Sequence, residues 1–365
     1  MLTRLRNLGD RWLGRGSAAI TVPVMDGALK PNRGLDEATV VAELAGIDDL
    51  ASDGKDLWLS AGAELFRLDN GQPVPVRQFD ADISALAVDG KGRLAIALAG
   101  KRVQILHVAS GGVITNGESL DAVQGQALHC VNALAFEPDG SILLSDGSQR
   151  RGPNQWCHDL MELGNTGRVA RWNPETDAKE QLASGLRHAF GVLPFRGGAL
   201  YSESWRHSVA MARGRRELMH ELPGYPSRMG VAASGGFWLS CFVCRTQLVE
   251  FVLREPAYRK RMLEEIDPRY WIAPALASGL SFLEPLQGAG VKQMGVLKPW
   301  APPRSYGLVL RVSDDGRILS SLHSQVDGKH HGITSAVECG GALWLASKGS
   351  ARLLRIDLDQ AEKRV

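Results

Sequence analysis

Histidine is the residue type whose placement in this 365-residue chain points most directly to chemistry. His129, His188 and the pair His330–His331 each stand just before an apolar segment with the composition of a β-strand. A neutral imidazole can act as a general base near pH 7 and can also ligate a transition metal. One such histidine alone is more typical of a structural or surface residue. Their shared position relative to the strands is what predicts a common site.

Asn132 and Arg228 also fall near the start of such an apolar segment, so we expect them beside the histidines. Together these side chains are suited to catalyse hydrolysis. A histidine would activate a water molecule for attack on a carbonyl carbon, and the amide and guanidinium would stabilise the oxyanion. We therefore predict catalytic roles for His129, Asn132, His188, Arg228 and His331. Histidines holding zinc are the alternative, although the sequence has no close-spaced ligand pair such as HExxH.

A repeated pattern of short strands predicts the fold that positions these residues. An apolar strand, an Asp/Gly turn, a second strand, a polar loop and a third strand rich in Arg and Leu recur six times. The clearest copies begin at Ala133 and Ile333. Repeats of about 40 residues built from four short strands are typical of a β-propeller. We predict an all-β, six-bladed propeller with four-stranded blades, whose innermost strands begin around one mouth of a central channel.

The ring is predicted to close through a strand from the other end of the sequence. The last repeat shows three strands, and Thr39–Leu44 is expected to supply the fourth, which removes the free sheet edges. The predicted organisation is an arm over residues 1–37 and one propeller domain over residues 38–365. Leucines, Trp12 and arginines in the arm have the spacing of an amphipathic helix, which would pack on the propeller or lie on a membrane surface.

Two long loops interrupt the repeat, over residues 147–166 and 245–304, and each falls between a second and a third strand. In a propeller, such loops lie on the face where the innermost strands begin. Long loops usually have a function, so we expect a lid over the channel mouth, with a short helix at Glu255–Glu265. Glu203 is expected to position a neighbouring arginine. The residues predicted to bind substrate are Phe190, Glu203, Trp205, Trp156 and Trp271, with Trp300 as a further lining residue.

Composition argues against several classes of function. The formal net charge of +2 is too small to favour a nucleic acid partner. No Gly-rich loop joins a strand to a helix, so no nucleotide cofactor is expected. No apolar run approaches the roughly 20 residues of a membrane-spanning helix. The five cysteines, an odd number, and the lack of a secretory signal predict reduced thiols in a cytoplasmic protein. Cys241 and Cys244 form a CxxC pattern inside a predicted strand and are interpreted as structural.

Several segments are similar to those of strictosidine synthase-like proteins. The resemblance covers about Leu44 to Leu358 and implies a six-bladed propeller related to gluconolactonase, paraoxonase and other calcium-dependent lactonases and esterases. The segments that carry it are Leu182–Val192, Glu221–Pro226, Ser145–Ser148 followed by Asp159–Leu163 and Thr166–Arg168, and Tyr306–Arg311 followed by Asp315–Arg317.

The resemblance also implies where a calcium ion would bind. In the calcium hydrolases a Glu, two Asn and an Asp converge on the channel axis from the starts of innermost strands. Asp48 and Asn132 stand at two of these positions. Phe190 and Ser227 replace the second Asn and the Asp, and Arg228 follows where an Asn would be. A calcium site with Asp48 and Asn132 as ligands is therefore incomplete, and capping of buried backbone groups is the alternative role for both.

Plant strictosidine synthases condense an amine with an aldehyde through a Glu on the innermost strand of the last blade. Thr334 stands at that position here, and Glu338 lies four residues further on. The leading prediction is therefore a hydrolase of a small, fairly apolar ester or lactone. The alternatives are a propeller that binds a metabolite or protein partner without catalysis, and a metal-free condensing enzyme.

Overall fold

A computed structural model describes residues 22–109, 112–278, 292–293, 296–297 and 305–362. Six four-stranded antiparallel sheets form the blades of a ring. Each innermost strand contacts the innermost strands of both neighbouring blades, and the last contacts the first. The predicted six-bladed propeller is confirmed.

The strands are numbered in chain order, and within each blade they run from the axis outward. Blade 1 contains β2 (Ile47–Ser52), β3 (Leu57–Ala61), β4 (Glu64–Asp69) and β5 (Gln72–Gln78); blade 2 contains β6 (Ile83–Val88), β7 (Arg93–Leu98), β8 (Arg102–Val108) and β9 (Ile114–Leu120); blade 3 contains β12 (Val131–Phe136), β13 (Ile142–Asp146), β14 (Gly167–Asn173) and β15 (Ala178–Leu186). Blade 4 contains β16 (Ala189–Phe195), β17 (Gly198–Glu203), β18 (Ser208–Met211) and β19 (Glu217–Met219); blade 5 contains β20 (Gly224–Val231), β21 (Phe237–Cys244), β24 (Gly307–Val312) and β25 (Ile318–Ser324); blade 6 contains β26 (Ile333–Cys339), β27 (Ala342–Ser347), β28 (Arg352–Asp357) and β1 (Thr39–Glu43).

Short elements lie outside the strands of the blades. They are the hairpins β10 (Ala122–Val123) with β11 (Gln126–Ala127) and β22 (Lys292–Gln293) with β23 (Val296–Leu297), and the helices α1 (Trp156–Met161), α2 (Gln247–Arg254), α3 (Pro256–Glu265) and α4 (Leu358–Glu362). Single 3-10 turns lie at Gly27–Leu29, Pro153–Gln155, Ser204–Arg206, Arg213–Arg215 and Pro268–Tyr270. In the part of the chain that is described, no helix combines the length and the apolar character needed to cross a bilayer.

Apolar side chains on both faces of the inner strands build the core between adjacent blades. Ile47 and Leu59 of blade 1, for example, pack with Ala346 and Leu353 of blade 6, and all four are fully buried. Burying a side chain of this size stabilises the fold by about 1.5–3 kcal/mol. The cores therefore hold the blades to one another, and the ring fixes where the innermost strands begin.

The strand β1 closes the ring as predicted. It pairs antiparallel with β28, with Thr39 opposite Arg355 and Glu43 opposite Arg352. The chain before it is anchored on blade 5, where the Asn32 amide donates to the Ser321 carbonyl oxygen at 2.8 Å. Blade 6 is thus completed by residues more than 300 positions away in the sequence.

Two elements differ from the sequence prediction. The apolar residues of the sequence predict the innermost strand of blade 5 at Met229–Ala233, but β20 begins at Gly224. Its pairing with β21 shifts register on both sides of Pro226. The regular alternation of side chains between the two faces of the strand is interrupted there, so the sequence pattern does not reveal this part of the strand. The helix α2 in the lid was not predicted, whereas the predicted helix at Glu255–Glu265 corresponds to α3. The predicted helix in the arm and Trp300 lie outside the described residues, so both remain predictions.

Removing β1 should destabilise the propeller, because β28 then becomes a free edge and the anchor on blade 5 is lost. We expect a chain of residues 45–365 to melt about 10 °C below a chain of residues 22–365, corresponding to roughly 3 kcal/mol. Differential scanning calorimetry of the two chains measures this difference. Equal melting temperatures would show that the closure contributes nothing.

Candidate functional site at the channel mouth

All six innermost strands have an irregularity near their first residues. In each of them, pairing with the second strand of the blade shifts register. Residues inside such a bulge leave the regular ladder, so their buried peptide groups need other hydrogen-bond partners. The residues within these shifts include Asp48, Ser84, Asn132, Phe190, Arg228 and Thr334.

The Arg228 side chain crosses the channel and supplies several of these partners. Its Nε donates to the Asn132 carbonyl oxygen at 2.8 Å, and its Nη1 donates to the Asp48 carbonyl oxygen at 2.9 Å. Its Nη2 donates to the Ser84 carbonyl oxygen at 2.7 Å, and Nη1 also lies 3.4 Å from the Thr334 carbonyl oxygen. One guanidinium on blade 5 therefore binds the innermost strands of blades 1, 2, 3 and 6.

Two aspartates and a lysine surround this guanidinium. Asp49 Oδ2 lies 3.2 Å from Arg228 Nε, and Asp48 Oδ1 lies 3.4 Å from Arg228 Nη1 and 3.2 Å from Lys348 Nζ. Burial alone would raise the pKa of Asp48, but Lys348 and Arg228 together lower it below its ordinary value. Burial raises the pKa of Asp49 to about 6, although Arg228 and the Leu86 N–H oppose this. When all four side chains are ionised, their charges cancel.

The residues present do not fit a calcium ion on the axis. Asp48 and Asn132 stand at two expected positions, but their carbonyl oxygens already accept hydrogen bonds from Arg228. The Asn132 amide nitrogen donates to the Ala189 carbonyl oxygen at 3.0 Å, and its amide oxygen accepts from the Cys130 thiol at 3.5 Å. A fixed positive charge at contact distance opposes a second cation at the same oxygens.

The other two expected ligand positions also lack a free oxygen. The Phe190 ring lies 5.3 Å from the Arg228 guanidinium carbon, and the Ser227 hydroxyl donates to the Ser240 carbonyl oxygen at 3.0 Å. Among residues 22–109, 112–278 and 305–362, no group of three or more His, Cys, Asp or Glu side chains is placed to hold a metal ion.

Next to the axis, His188 forms a buried pair with Asp159. His188 Nδ1 lies 3.2 Å from Asp159 Oδ2, and the two side chains are 1% and 3% exposed. His188 Nε2 lies 3.4 Å from the amide nitrogen of Asn132. When Nδ1 donates to the carboxylate, Nε2 presents a lone pair on the side of Asn132. A histidine held in this way by a carboxylate is suited to act as a general base.

Trp205 holds this pair in place. Its ring stacks on the His188 imidazole with the centroids 4.4 Å apart, and its Nε1 donates to Asp159 Oδ2 at 2.8 Å. Burial alone would raise the pKa of Asp159, but hydrogen bonds from His188, Ser148 and Trp205 lower it below its ordinary value. Asp159 is therefore an anion at neutral pH.

The backbone at His188 is in a strained conformation. Its φ of 60° lies in the left-handed region, which costs a residue other than glycine about 1–3 kcal/mol unless its surroundings impose it. Glu203 accepts the backbone N–H of Arg187 at 2.7 Å, and Ser204 N–H donates to the His188 carbonyl oxygen at 3.0 Å. Glu203 also lies 3.8 Å from Arg206. These contacts fix the turn that directs the imidazole toward Asn132.

The two loop insertions cover this end of the channel, and their apolar side chains form one cluster. Phe190 and Trp205 of blade 4 pack there with Trp156 of α1 and with Trp271 of the lid, next to Phe242 of β21. Trp156 meets Phe242 edge to face at 5.2 Å, and Trp271 meets His158 at 4.7 Å. The four aromatic residues predicted to bind substrate are thus brought together, mostly as buried packing.

A cavity of about 490 Å³ opens between α1, the blade 4 turn and α2. Trp205 lines it and also stacks on His188, so the cavity approaches the buried pair from the lid side. Its other lining residues include Leu160, Leu253, His207, Glu250 and Arg254. A second cavity of about 450 Å³ lies at the opposite end of the channel, where Glu338 is placed.

The structure does not gather the predicted histidines into one cluster. His331 Nδ1 lies 2.8 Å from the Ser305 hydroxyl, and its Nε2 lies 2.7 Å from the Gln325 carbonyl oxygen. Ser305 in turn contacts Ser278 of the lid. His129 is half-buried, and its backbone N–H lies 3.3 Å from Asp146 Oδ1. His331 therefore belongs to a polar chain that joins the lid to blades 5 and 6.

Sequence reasoning assigned no role to Asp159, Ser305 or Lys348. Asp159 lies on α1, inside an irregular insertion, so no strand pattern points to it. The only signal was its place in a segment that matches the strictosidine synthase-like proteins. Thr334, at the position of the synthase Glu, donates through its hydroxyl to the Asp48 carbonyl oxygen at 2.6 Å.

Comparison with known proteins agrees with this architecture. The adipocyte plasma membrane-associated protein of Salmo salar is 24% identical over 365 residues, which cover 93% of this chain and 82% of the relative. Strictosidine synthase-like 13 of Arabidopsis thaliana is 24% identical over 213 residues, which cover 56% of this chain and 46% of that protein. The predicted resemblance is confirmed. No family model matches the chain.

Among solved structures, a gluconolactonase from Xanthomonas campestris superposes with a TM-score of 0.55 at 16% identity. The match covers 92% of this chain and 95% of that protein. At this level of identity the likeness concerns the fold alone. The sequence resemblance to strictosidine synthase-like proteins and this superposition both agree with a propeller fold.

Asp159→Asn tests the stabilising role of the buried pair. Because the folded pKa of Asp159 is lowered, its contribution is present above the unfolded pKa of about 3.9 and is lost as the pH falls through the folded pKa. We expect the variant to lose about 1–3 kcal/mol of unfolding free energy at neutral pH. The loss should be smaller at about pH 3, below the unfolded pKa, because the contribution of the carboxylate declines as the pH falls toward the lower folded pKa. Urea unfolding at both pH values measures it, with exposed Asp69→Asn as the control; a loss independent of pH would contradict the ionised pair.

Proposed function

We propose that this protein is a hydrolase of a small, fairly apolar ester or lactone. The observation that carries the proposal is the buried Asp159–His188 pair, whose second imidazole nitrogen lies 3.4 Å from the Asn132 amide nitrogen at the channel mouth. The gluconolactonase on the same fold supports the reaction class by its name. Leu160, Leu253 and Trp205 give the adjoining cavity an apolar part that suits such a substrate, beside the polar side chains of His207, Glu250 and Arg254.

The proposed reaction uses His188 as base and then as acid. A water molecule beside His188 Nε2 gives it a proton and attacks the substrate carbonyl carbon, and the Asn132 amide donates a hydrogen bond to the oxyanion. The tetrahedral intermediate collapses with cleavage of the C–O bond, and the leaving alkoxide takes the proton from Nε2. Asp159 holds the imidazole and stabilises its positive charge while the proton is there. The products are a carboxylic acid and an alcohol, on one molecule if the substrate is a lactone.

Arg228 has a less direct role in this proposal than the one predicted from the sequence. Its nitrogens donate to backbone carbonyl oxygens, so it does not bind the oxyanion itself. Asn132 is the residue proposed to bind the oxyanion, and Arg228 holds it in place because Arg228 Nε donates to the Asn132 carbonyl oxygen. Its positive charge also favours an oxyanion nearby.

His188→Ala should abolish turnover of aryl esters and lactones assayed with EDTA. We expect kcat/KM to fall at least about 100-fold, since general-base catalysis usually contributes that much or more. Exposed His220→Ala, on the outer part of the same blade, is the control and should keep full activity. Asn132→Ala should lower kcat about 100-fold, as for loss of an oxyanion donor. Full turnover in folded His188→Ala would place the reaction elsewhere.

Absence of turnover in the wild-type protein would favour the binding alternative. Two observations support that alternative: the Arg228 donors are occupied inside the protein, and aromatic packing covers the mouth. No hydrolysis across the panel, together with a ligand-induced rise in melting temperature, would identify a metabolite-binding propeller. Product formation from amine and aldehyde pairs would identify a condensing enzyme instead.

His331 is proposed to act on the lid. His331→Ala removes the contacts with Ser305 and Gln325, and through Ser305 the connection to Ser278. We expect activity to fall mainly through KM, by about 10-fold or more, because substrate enclosure is weakened and the reacting groups are unchanged. Steady-state kinetics of His331→Ala beside His188→Ala separates the two roles. A fall in kcat alone would make His331 a catalytic residue, as the sequence predicted.

Two places in the cell are considered for the action of this protein, the cytoplasm and a membrane surface. We propose that the protein acts in the cytoplasm, since none of the described cysteines forms a disulfide and reduced thiols are typical of that compartment. The name of the Salmo salar relative favours the alternative in which the arm contacts a membrane surface.

A further inference from the structure

We propose that Arg228 is a built-in axial cation, which takes the structural place of a metal ion in this propeller and keeps calcium out. The inference does not rest on the proposed hydrolase. It concerns stability and cation binding, which are measured without a substrate.

The ring brings several backbone carbonyl oxygens to the axis, where they need hydrogen-bond donors. Each innermost strand bulges where it reaches the axis, so the carbonyl oxygens of Asp48, Ser84, Asn132 and Thr334 face Arg228 in the channel. The Asp48 oxygen also accepts the Thr334 hydroxyl. A buried carbonyl without a partner costs about 1–3 kcal/mol. Four of them around one axis need a group that donates in several directions at once.

A guanidinium meets this demand as a calcium ion would, but through hydrogen bonds. It carries five N–H donors in one plane and stays charged at every accessible pH. Arg228 bonds strands of four other blades and lies against the Phe190 ring of the remaining one, so all six blades meet at this side chain. The Arg228 side chain is 6% exposed, which leaves its hydrogen bonds shielded from water.

The charges around the axis also oppose a calcium ion. Asp48 and Asp49 are balanced by Arg228 and Lys348, at separations of 3.2–3.4 Å. Adding a divalent cation would leave this buried site with two excess positive charges, which is strongly unfavourable at low dielectric. Removing the guanidinium would instead leave two buried carboxylates with one lysine, next to several oxygens without donors. Carboxylate and carbonyl oxygens are the ligands that calcium prefers.

Arg228→Asn therefore converts the axis into a calcium site. The shorter side chain removes the charge, opens space and adds an amide oxygen near Asp48, Asp49 and the freed carbonyls. We expect the variant to melt at least about 8 °C below the wild type in EDTA. Millimolar calcium should restore most of that loss, as a ligand at roughly 100 times its Kd adds about 2.7 kcal/mol. Equilibrium dialysis with radioactive calcium should find one site in the variant and none in the wild type.

Arg168→Asn is the matched control. Arg168 is 2% exposed, pairs with Asp146 at 3.0 Å and donates to backbone carbonyl oxygens, but it lies on β14, away from the axis. This variant should lose stability and should not respond to calcium. The contrast separates a general effect of removing a buried arginine from the axial role.

Three outcomes would overturn the proposal. They are calcium binding or calcium-dependent melting in the wild type, a destabilised Arg228→Asn variant that binds no calcium, and an Arg228→Asn variant that melts like the wild type. If Arg228→Asn does not fold, Arg228→Lys is measured in its place, because it keeps the charge but not the planar set of donors. It should melt below the wild type without responding to calcium, and wild-type stability in Arg228→Lys would also count against the proposal. Loss of turnover plays no part in these readouts, so a failed hydrolase proposal leaves the test intact.

Discussion

The hydrogen bonds between the Arg228 guanidinium and the carbonyl oxygens of other blades are the interaction on which this structure depends. A closed ring brings six strand ends to one axis, and the bulges there release peptide groups from the regular ladder. Hydrophobic packing between blades cannot satisfy those groups, because it is confined to the space between sheets. A side chain that donates in several directions can, and Arg228 does so from a strand whose own bulge places it on the axis.

Filling the axis moves the candidate chemistry to one side of it. The carbonyl oxygens that would face a substrate at the centre are already bonded to Arg228, so the candidate catalytic side chains lie where blades 3 and 4 meet. There Asn132 lies at the start of β12, His188 directly precedes β16, and α1 brings in Asp159. The insertion in blade 3 is therefore more than a cover, because it provides the carboxylate that orients the histidine.

Sequence reasoning succeeded where a residue belongs to a repeated element and failed where it does not. The strands and the closure by Thr39–Glu43 follow from alternating apolar residues and turn signals, which each blade repeats. Those strands also placed Asn132, His188 and Arg228 at one end of the channel. Asp159 carries no periodic signal, and the start of β20 at Gly224 is hidden by its register shifts. The partners of Arg228 depend on five blades, so no local pattern contains them.

The strained turn at His188 connects the stability of the fold to its candidate chemistry. A histidine in the left-handed region relaxes unless several contacts oppose it. Here Glu203 holds the preceding peptide, and Trp205 covers the ring while bonding to the same carboxylate. These contacts are all present without a substrate, so the imidazole is oriented before anything binds. A base fixed in advance needs little reorganisation during proton transfer, which is the condition under which an Asp–His pair is an efficient catalyst.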